Sequence, residues 1–189
     1  MPDHILGRRP LYEGWLTLLL VEVCLNGETE KRPLVAHPCG SAVLPYDPAR
    51  RVALTVRQTR LALLHCGRPS VIEVIAGVDE DGDFAATARR EAMEEGGVKL
   101  GEIEKVATVW TDPNSSTEQV HLFLAEYHAP DRVAEGGGLA EENERLTVSE
   151  RSIAETWQEI TSAAEADAKT LLLFQALRLR RPALFETTT

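Results

Sequence analysis

Apolar, strand-like runs separated by turn residues make up the first part of the chain. Residues 16–25, LTLLLVEVCL, predict a strand, and the turn NGET predicts a hairpin with KRPLVAHP as the second strand. Within residues 41–60, the turn signal Asp47-Pro48 separates two further strands, the second with alternating valine and leucine residues. SVIEVIAG, residues 70–77, predicts another short strand that ends at a glycine.

Helical spacing follows in three segments. Residues 84–95 are good helix formers, with Asp83 as the N-cap and Gly96-Gly97 as the stop signal. Residues 152–164 and 167–181 also have helical spacing. In the last of these segments, one stripe of the predicted helix carries Leu171, Leu172, Gln175 and Leu179.

Strands and helices interleave along the chain. Two strand-like segments, residues 101–111 and 117–129, flank the turn-rich DPNSS, and residues 131–144 predict a flexible acidic loop. Because several neighbouring strands are joined by short turns, a mixed sheet is favoured over a parallel one. We therefore expect an α/β protein of the α+β type, with a mixed β-sheet flanked by helices.

Composition narrows the classes of partner. The chain has 189 residues, which suits one domain, and its net charge of −10 disfavours binding to nucleic acid or to an anionic membrane. Cys24, Cys39 and Cys66 have no metal-like spacing, which favours a reducing compartment. No apolar run reaches the ~18 residues of a membrane span, and the N-terminus lacks the apolar region of a signal peptide. We expect a soluble cytoplasmic protein.

The first predicted helix concentrates negative charge. Glu94 and Glu95 follow Glu91 by three and four residues, so the side chains lie over adjacent turns of one helical face. Like charges at this spacing cost a helix about 0.2–0.5 kcal/mol per pair, and a divalent cation would reverse that penalty. Mg²⁺ prefers such oxygen ligands and keeps positions for substrate phosphates. A solvated acidic helix face would have the same spacing.

The segment from Gly77 to Val98, which ends in RREAMEEGGV, resembles the Nudix box. That box is the signature of hydrolases that cleave nucleoside diphosphates linked to another group. The second half of the pattern matches from Arg90 onwards. In the first half Asp83 stands in place of glutamate, and six rather than seven residues separate it from Arg90.

The GDP-mannose hydrolase branch of the nucleoside-diphosphate-sugar Nudix enzymes is similar in having the same shortened box. The resemblance extends to VRQTR, IEVIAG, TEQVHLFLAEY, GGGLAEENE and DAKT, and so covers most of the chain from about residue 40 to 177. It implies the Nudix fold, a mixed sheet sandwiched between helices with an N-terminal β-hairpin. We expect a hydrolase domain over residues 40–182, an N-terminal dimerisation segment over 1–39, and a frayed tail over 183–189.

The resemblance also implies an activity. The expected reaction is metal-dependent hydrolysis of the pyrophosphate bond of a nucleoside diphosphate sugar, GDP-mannose-like or ADP-ribose-like. Its products would be a nucleoside monophosphate and a sugar phosphate. The alternatives are a hydrolase of another dinucleotide and a Nudix-fold module that binds a nucleotide sugar without cleaving it. Related enzymes are homodimers that exchange N-terminal elements, so a homodimer is expected.

Roles for individual residues follow from the resemblance. The implied ligands of Mg²⁺, or of Mn²⁺ as an alternative, are Glu91, Glu95 and the carbonyl of Ala76, with Glu94 close or bridging. Arg90 is expected to orient these glutamates. In the late loop, Glu142 matches an additional catalytic or metal-binding glutamate, with Glu141 as the alternative register.

Three further residues are candidates for substrate binding. Arg57 and Arg60 share a face only if the strand bends, because strand side chains repeat every second residue, so one of them is expected to meet substrate. Arginine suits pyrophosphate because its planar fork donates paired hydrogen bonds. Glu73 interrupts an apolar strand and resembles a substrate-contacting glutamate of the family. Trp110 and Trp157 are expected in the core, and no role falls to His65 or His121.

Overall fold

Two β-sheets and four α-helices form the part of the chain that the computed structural model describes, residues 2–138, 145–163 and 165–186. The strands are β1 His4–Glu13, β2 Thr17–Leu25, β3 Glu28–Ala36, β4 Gly40–Asp47, β5 Val52–Arg57, β6 Ile75–Val78, β7 Ile103–Trp110, β8 Gln119–Glu126 and β9 Thr147–Ser152. The helices are α1 Leu61–His65, α2 Phe84–Glu94, α3 Ile153–Ser162 and α4 Ala168–Arg180, with short 3₁₀ helices at Ala129–Asp131 and Pro182–Phe185.

The N-terminal strands form a separate antiparallel sheet in the order β1-β2-β3. Asn26 and Gly27 have φ angles of 52° and 86°, which is the two-residue turn that suits the twist of a hairpin, and the predicted β2–β3 hairpin is confirmed. Strand β1 was not predicted, because its apolar residues do not alternate with polar ones. Its register shifts next to Gly7 and again after Pro10, so no continuous alternation marks it.

The larger sheet has six strands in the order β7-β8-β4-β5-β9, with β6 paired to β4. Strand β4 pairs in parallel with β8 and antiparallel with β5 and β6, so the predicted mixed sheet is confirmed. One edge of β4 is shared, with β6 beside its first half and β5 beside its end. Strand β6 therefore pairs with the first half of β4, and both strands contact helix α2.

Alternation in β4 divides the core between the two faces of this sheet. Ala42, Leu44 and Tyr46 face α3 and α4, whereas Val43 faces α2. Helix α2 contacts β4 and β6, and α4 contacts β4 and β8, so the sheet lies between helices as predicted. The two faces are thus available for different tasks, and α2 carries the acidic segment.

The predicted stripe on α4 is wrong. The buried residues of this helix are Thr170, Leu173, Phe174 and Leu177. Leu172 and Leu179, which belong to the predicted stripe, are 40% and 85% exposed. The run of four large apolar residues at 171–174 occupies more than one face, so the periodicity alone did not determine which face packs on the sheet.

Three smaller elements also differ from expectation. Strand β9 was not predicted because TVSERS is polar, as suits its position at the edge of the sheet. Helix α1 has only five residues, and none of them is buried. Trp110 is 53% exposed and so does not belong to the core. Trp157, in contrast, is partly buried and packs against the core. Pro182–Phe185 is helical with Leu184 buried, so the fold continues beyond residue 182.

Backbone hydrogen bonds join the small sheet to the large one. Val35, near the end of β3, donates to the Ser115 carbonyl at 2.8 Å and accepts from the Thr117 amide at 3.0 Å. The Thr117 hydroxyl binds the amide and the carbonyl of His37, at 2.8 and 2.9 Å. These contacts fix the N-terminal sheet beside the start of β8. No helix in the described residues is long and apolar enough to span a membrane.

An ion-pair network holds the opposite end of the large sheet. Arg50 donates to Asp47 at 2.7 Å and to both carboxylate oxygens of Glu150 at 2.9 and 3.0 Å. The buried Tyr127 hydroxyl also donates to Glu150, at 2.7 Å. The Arg50 hydrogen bonds hold the pKa of Glu150 below its usual value. Burial alone would raise the pKa of Asp47, but hydrogen bonds from Arg50 and Ala49 lower it.

We expect this network to contribute to the free energy of unfolding at neutral pH and to lose that contribution in acid. Because the pKa values of Asp47 and Glu150 are depressed in the folded state, their contribution is complete above the unfolded values of about 4 and falls as pH drops through the folded ones. We expect Asp47→Asn to lower the melting temperature most near pH 7, with the difference from wild type shrinking below about pH 4. The exposed Glu28→Gln is the control. A pH-independent difference for Asp47→Asn would contradict this assignment.

Candidate active site

Strand β6 approaches helix α2 closely at Gly77. A Cβ atom placed on Gly77 would lie 1.9 Å from the Glu91 Oε1 atom, so only glycine allows the carboxylate to rest against the strand. One residue earlier, the Ala76 amide donates to Glu95 Oε2 at 3.2 Å. Glu91 and Glu95 are 7% and 2% exposed. The predicted helix therefore buries two of its carboxylates against the backbone of β6.

The chain that leaves α2 is held by a glycine-rich turn. Gly97 has a φ angle of 64°, which suits the predicted stop of the helix. The amides of Gly137 and Gly138 donate to the carbonyls of Glu95 and Glu94, at 2.8 and 3.3 Å. This loop thus packs on the C-terminal end of α2. Glu141 and Glu142, which follow it in the sequence, lie outside the described residues.

Arg90 pairs with two of the helical glutamates. Its guanidinium lies 2.7 Å from Glu91 and 2.8 Å from Glu94, and it also donates to the Val78 carbonyl at 3.3 Å. Although burial opposes it, the charges of Glu91 and Glu94 raise the pKa of Arg90. Arg90 therefore compensates like charges that would otherwise repel one another on one face of α2.

The donor atoms at this helix fit a hard divalent cation. Two carboxylates, Glu91 and Glu95, meet the backbone of β6 where Gly77 makes room for them. Within the described ranges, no group of three His, Cys, Asp or Glu side chains is close enough together to hold a metal ion. The set expected from the sequence, Glu91, Glu95 and the Ala76 carbonyl, has the kind of oxygen donors that suit Mg²⁺, which accepts few protein ligands and keeps the rest as water or phosphate.

A cavity of about 390 Å³ opens beside this contact. Ala76, Gly77, Arg90 and Glu91 form part of its wall, as do two cations from elsewhere in the chain, Arg60 and Lys169. Basic and acidic groups thus face the same space. Such a cavity suits an anionic ligand that is bound together with a cation.

Arg60 is fixed by Glu73. The guanidinium donates from Nε to both carboxylate oxygens at 3.0 Å and from Nη2 to Oε2 at 2.6 Å. Glu73 is only 2% exposed, and its hydrogen bonds raise the pKa of Arg60 despite the opposing effect of burial. Glu73 therefore fixes the orientation of the Arg60 guanidinium.

A NUDIX domain model matches residues 37–173, which include every residue that lines this cavity except Trp15. The chain belongs to the NUDIX domain family. It is 38% identical over 152 residues to a GDP-mannose pyrophosphatase of Cronobacter sakazakii, covering 79% of this chain and 78% of the relative. It is 30% identical over 182 residues to a GDP-mannose pyrophosphatase of Klebsiella pneumoniae subsp. pneumoniae, covering 93% and 91% of the two chains.

A solved structure shares the architecture. The crystal structure of an ADP compounds hydrolase matches with a TM-score of 0.76 at 14% identity, over 97% of this chain and 96% of that one. The predicted Nudix fold is thereby confirmed, and the family confirms the prediction of a Nudix-type hydrolase. Nudix hydrolases generally depend on a divalent metal ion.

Not all of the site residues predicted from the sequence line this cavity. Arg60, Ala76, Arg90 and Glu91 line it. Arg57 lines a separate cavity, where it donates to the Ser70 carbonyl at 2.9 Å and to Glu159 at 2.7 Å. The strand ends at Arg57, so the two arginines diverge as their odd spacing suggested.

Several cavity residues received no role from the sequence, among them Trp15, His37, Glu118 and Lys169. Trp15 meets His37 edge to face, with ring centroids 5.5 Å apart, and His37 Nδ1 lies 3.6 Å from Glu118. These residues come from the N-terminal sheet and the start of β8, which only the tertiary contacts bring together. For Lys169 a local signal existed, since it follows the N-cap Asp167 in DAKT.

The contact at Gly77 predicts a sensitive position. We expect Gly77→Ala to displace the Glu91 carboxylate and to lower turnover of any substrate that the wild type hydrolyses by about 10²-fold or more, because misplacement by an ångström is that costly. Gly101→Ala is the matched control, since nothing lies within 4 Å of its Cβ position. Steady-state kinetics and melting curves of both variants provide the measurement. Normal turnover by a folded Gly77→Ala would show that this contact is dispensable.

Proposed function

We propose that the chain hydrolyses the pyrophosphate bond of a nucleoside diphosphate sugar, giving a nucleoside monophosphate and a sugar phosphate. The observation that carries this proposal is a single cavity lined by a Nudix-box carboxylate and by the two cations Arg60 and Lys169. Relatives named GDP-mannose pyrophosphatase, which align over most of the chain, support a substrate of the GDP-mannose kind. ADP-ribose-like compounds are the second substrate class to be tested.

Arg60 and Lys169 are the proposed contacts to the pyrophosphate. The ion pair with Glu73 uses Nε and Nη2 of Arg60, which leaves Nη1 outside this pair. A guanidinium held in this way binds an anion with little further loss of conformational freedom. Glu73 then affects substrate binding through Arg60. Arg57 lies in the separate cavity, where it forms an ion pair with Glu159.

Mg²⁺, or Mn²⁺ in its place, is the proposed cation, held by Glu91, Glu95 and the Ala76 carbonyl with Glu94 nearby. When bound, the cation supplies charge neutralisation for the pyrophosphate and eases the ionisation of water. Arg90 orients the glutamates through its ion pairs with Glu91 and Glu94.

Glu142 is the proposed general base, with Glu141 as the alternative. The carboxylate takes a proton from water as the water oxygen attacks phosphorus, and the bond from that phosphorus to the bridging oxygen breaks. The glycine-rich turn that precedes this part of the sequence packs on the end of α2, beside Glu94 and Glu95. That contact supports a base near the helical carboxylates.

A substrate panel tests the proposal. Purified protein with Mg²⁺ is incubated with GDP-mannose, ADP-ribose or a dinucleoside polyphosphate, and phosphate is measured after addition of a phosphatase. We expect release from a nucleotide sugar, because only the cleaved products carry phosphate monoesters. Release from the dinucleotide alone would move the chain to another substrate class. Binding of a nucleotide sugar without release would indicate a non-catalytic module.

Two variants separate metal binding from proton transfer. We expect Glu95→Gln to abolish the rise in melting temperature that Mg²⁺ produces in the wild type, because a ligand that binds only the folded state stabilises it. Glu142→Gln should lower kcat by about 10²- to 10⁴-fold and leave KM and the metal-induced stabilisation nearly unchanged. An active Glu142→Gln beside an inactive Glu141→Gln would assign the base to Glu141.

A homodimer is the proposed assembly, with residues 1–39 as the dimerisation segment and the hydrolase domain beginning at residue 40. Strand β1 exposes Ile5, Leu6, Leu11 and Tyr12, each between 46% and 58%. An apolar edge of this kind is costly in water and suits a subunit interface. We expect a dimeric mass by light scattering at micromolar concentration, and Leu6→Asp combined with Leu11→Asp should dissociate it. A monomeric wild type would contradict the proposal.

The cysteines support a cytoplasmic location. Cys24, Cys39 and Cys66 are all free thiols, as expected in a reducing compartment. Fractionation of cells that produce the chain tests this location.

A further inference from the structure

Lys169 reaches the cavity from the first turn of α4 and is held there by Asp167. The Lys169 ammonium lies 2.7 Å from Asp167 Oδ1, and the two side chains are only 23% and 14% exposed. Lys169 lines the cavity, whereas Asp167 lies outside its lining. A flexible lysine in a cavity wall is therefore tied to a mostly buried carboxylate behind it.

The second oxygen of the same carboxylate is also occupied. Asp167 Oδ2 accepts from the Thr170 amide at 2.8 Å and from the Thr170 hydroxyl at 2.7 Å. The fully buried Thr170 oxygen in turn accepts from the Val74 amide at 2.8 Å. Val74 follows Glu73, which holds Arg60, so these hydrogen bonds and one peptide bond connect the supports of Lys169 and Arg60.

The same contacts affect the Asp167 carboxyl group. Burial alone would raise its pKa, but the Lys169 charge and the hydrogen bonds from Lys169 and Thr170 lower it. Other helices of the chain are capped more simply. Ser152, the N-cap of α3, accepts one hydrogen bond from the Glu155 amide at 3.3 Å and holds no cation in the cavity.

We propose that Asp167 is a positioning residue that fixes the Lys169 ammonium in the cavity wall beside Arg60, and that Thr170 locks Asp167 to the strand segment that carries Glu73. This inference rests on the proposed function, in which Lys169 contacts the pyrophosphate. Asp167 acts through Lys169 and does not touch substrate. Its role is to restrict a long, flexible side chain to the orientation in which it binds an anion.

Asp167→Asn separates positioning from helix capping. Its remaining carbonyl oxygen can still accept from the Thr170 amide, but the charge that holds Lys169 is gone. With the nucleotide sugar that the wild type hydrolyses, we expect KM to rise about 10-fold and kcat to stay within about 3-fold. Ser152→Ala is the matched control, which should lower the melting temperature without changing KM.

A double-mutant cycle with Lys169→Met provides the decisive readout. If Asp167 acts through Lys169, the double variant has the same KM as Lys169→Met alone. Additive increases in KM would overturn the proposal, because they would mean that Asp167 acts independently of the lysine. An unchanged KM in Asp167→Asn would overturn it as well.

Thr170 tests the same chain of contacts without altering a charge. Thr170→Ser keeps the hydroxyl that joins Asp167 to the Val74 amide, whereas Thr170→Val removes it at nearly constant volume. We expect wild-type KM for the serine variant and an increased KM for the valine variant. A wild-type KM in the valine variant would contradict this role of Thr170, because it would show that the hydrogen bonds of the hydroxyl are dispensable.

Calorimetric titration with inorganic pyrophosphate in the presence of Mg²⁺ makes the test independent of turnover. Affinity should fall about 10-fold in Asp167→Asn and in Lys169→Met, and remain unchanged in Ser152→Ala. A wild type that binds pyrophosphate but hydrolyses no nucleotide sugar would contradict the proposed function and leave the positioning role intact. Undiminished pyrophosphate affinity in Asp167→Asn would contradict the positioning role alone.

Discussion

The site depends on the approach of strand β6 to helix α2 at Gly77, where there is no room for a side chain. The helix must lie this close for Glu91 and Glu95 to meet the β6 backbone, and β6 must pair with β4 in register for its last residues to lie beneath the helix. Gly96 extends the constraint, because a Cβ there would lie 2.6 Å from Ile75. Two glycines thus set the distance between the carboxylates and the sheet.

Charge is organised locally in a chain that is acidic overall. The net charge of −10 would repel a pyrophosphate at long range, and several of the acids are buried near the cavity. Three acids are matched by cations at close range, Glu91 by Arg90, Glu73 by Arg60 and Asp167 by Lys169. Because burying an unpaired charge is costly, the paired cations stabilise the acids and also present positive charge to the ligand.

Local signals in the sequence were enough to predict the acidic helix and the hairpin. They were insufficient for elements whose conformation depends on packing against distant parts of the chain. Asp83 caps the helix with its side chain, whereas Gly97 and the Asn26-Gly27 turn have positive φ angles that few other residues adopt, so the elements around them were predictable. Polar β9 and irregular β1 have no such signal, because their pairing partners define them. The cavity also unites Trp15 with Lys169, more than 150 positions apart, which no spacing within one segment could indicate.

The parallel pairing of β4 with β8 has a consequence for how the chain folds. Gly40 pairs with Val120, and Val52 pairs with Ser152, so the central strands wait for partners far along the sequence. Closing such long loops is entropically costly and slows folding. During synthesis, the acidic helix leaves the ribosome well before β8 and β9 can complete the sheet beneath it. The buried positions of Glu91 and Glu95 are therefore supported by a sheet that is completed only after the helix has been made.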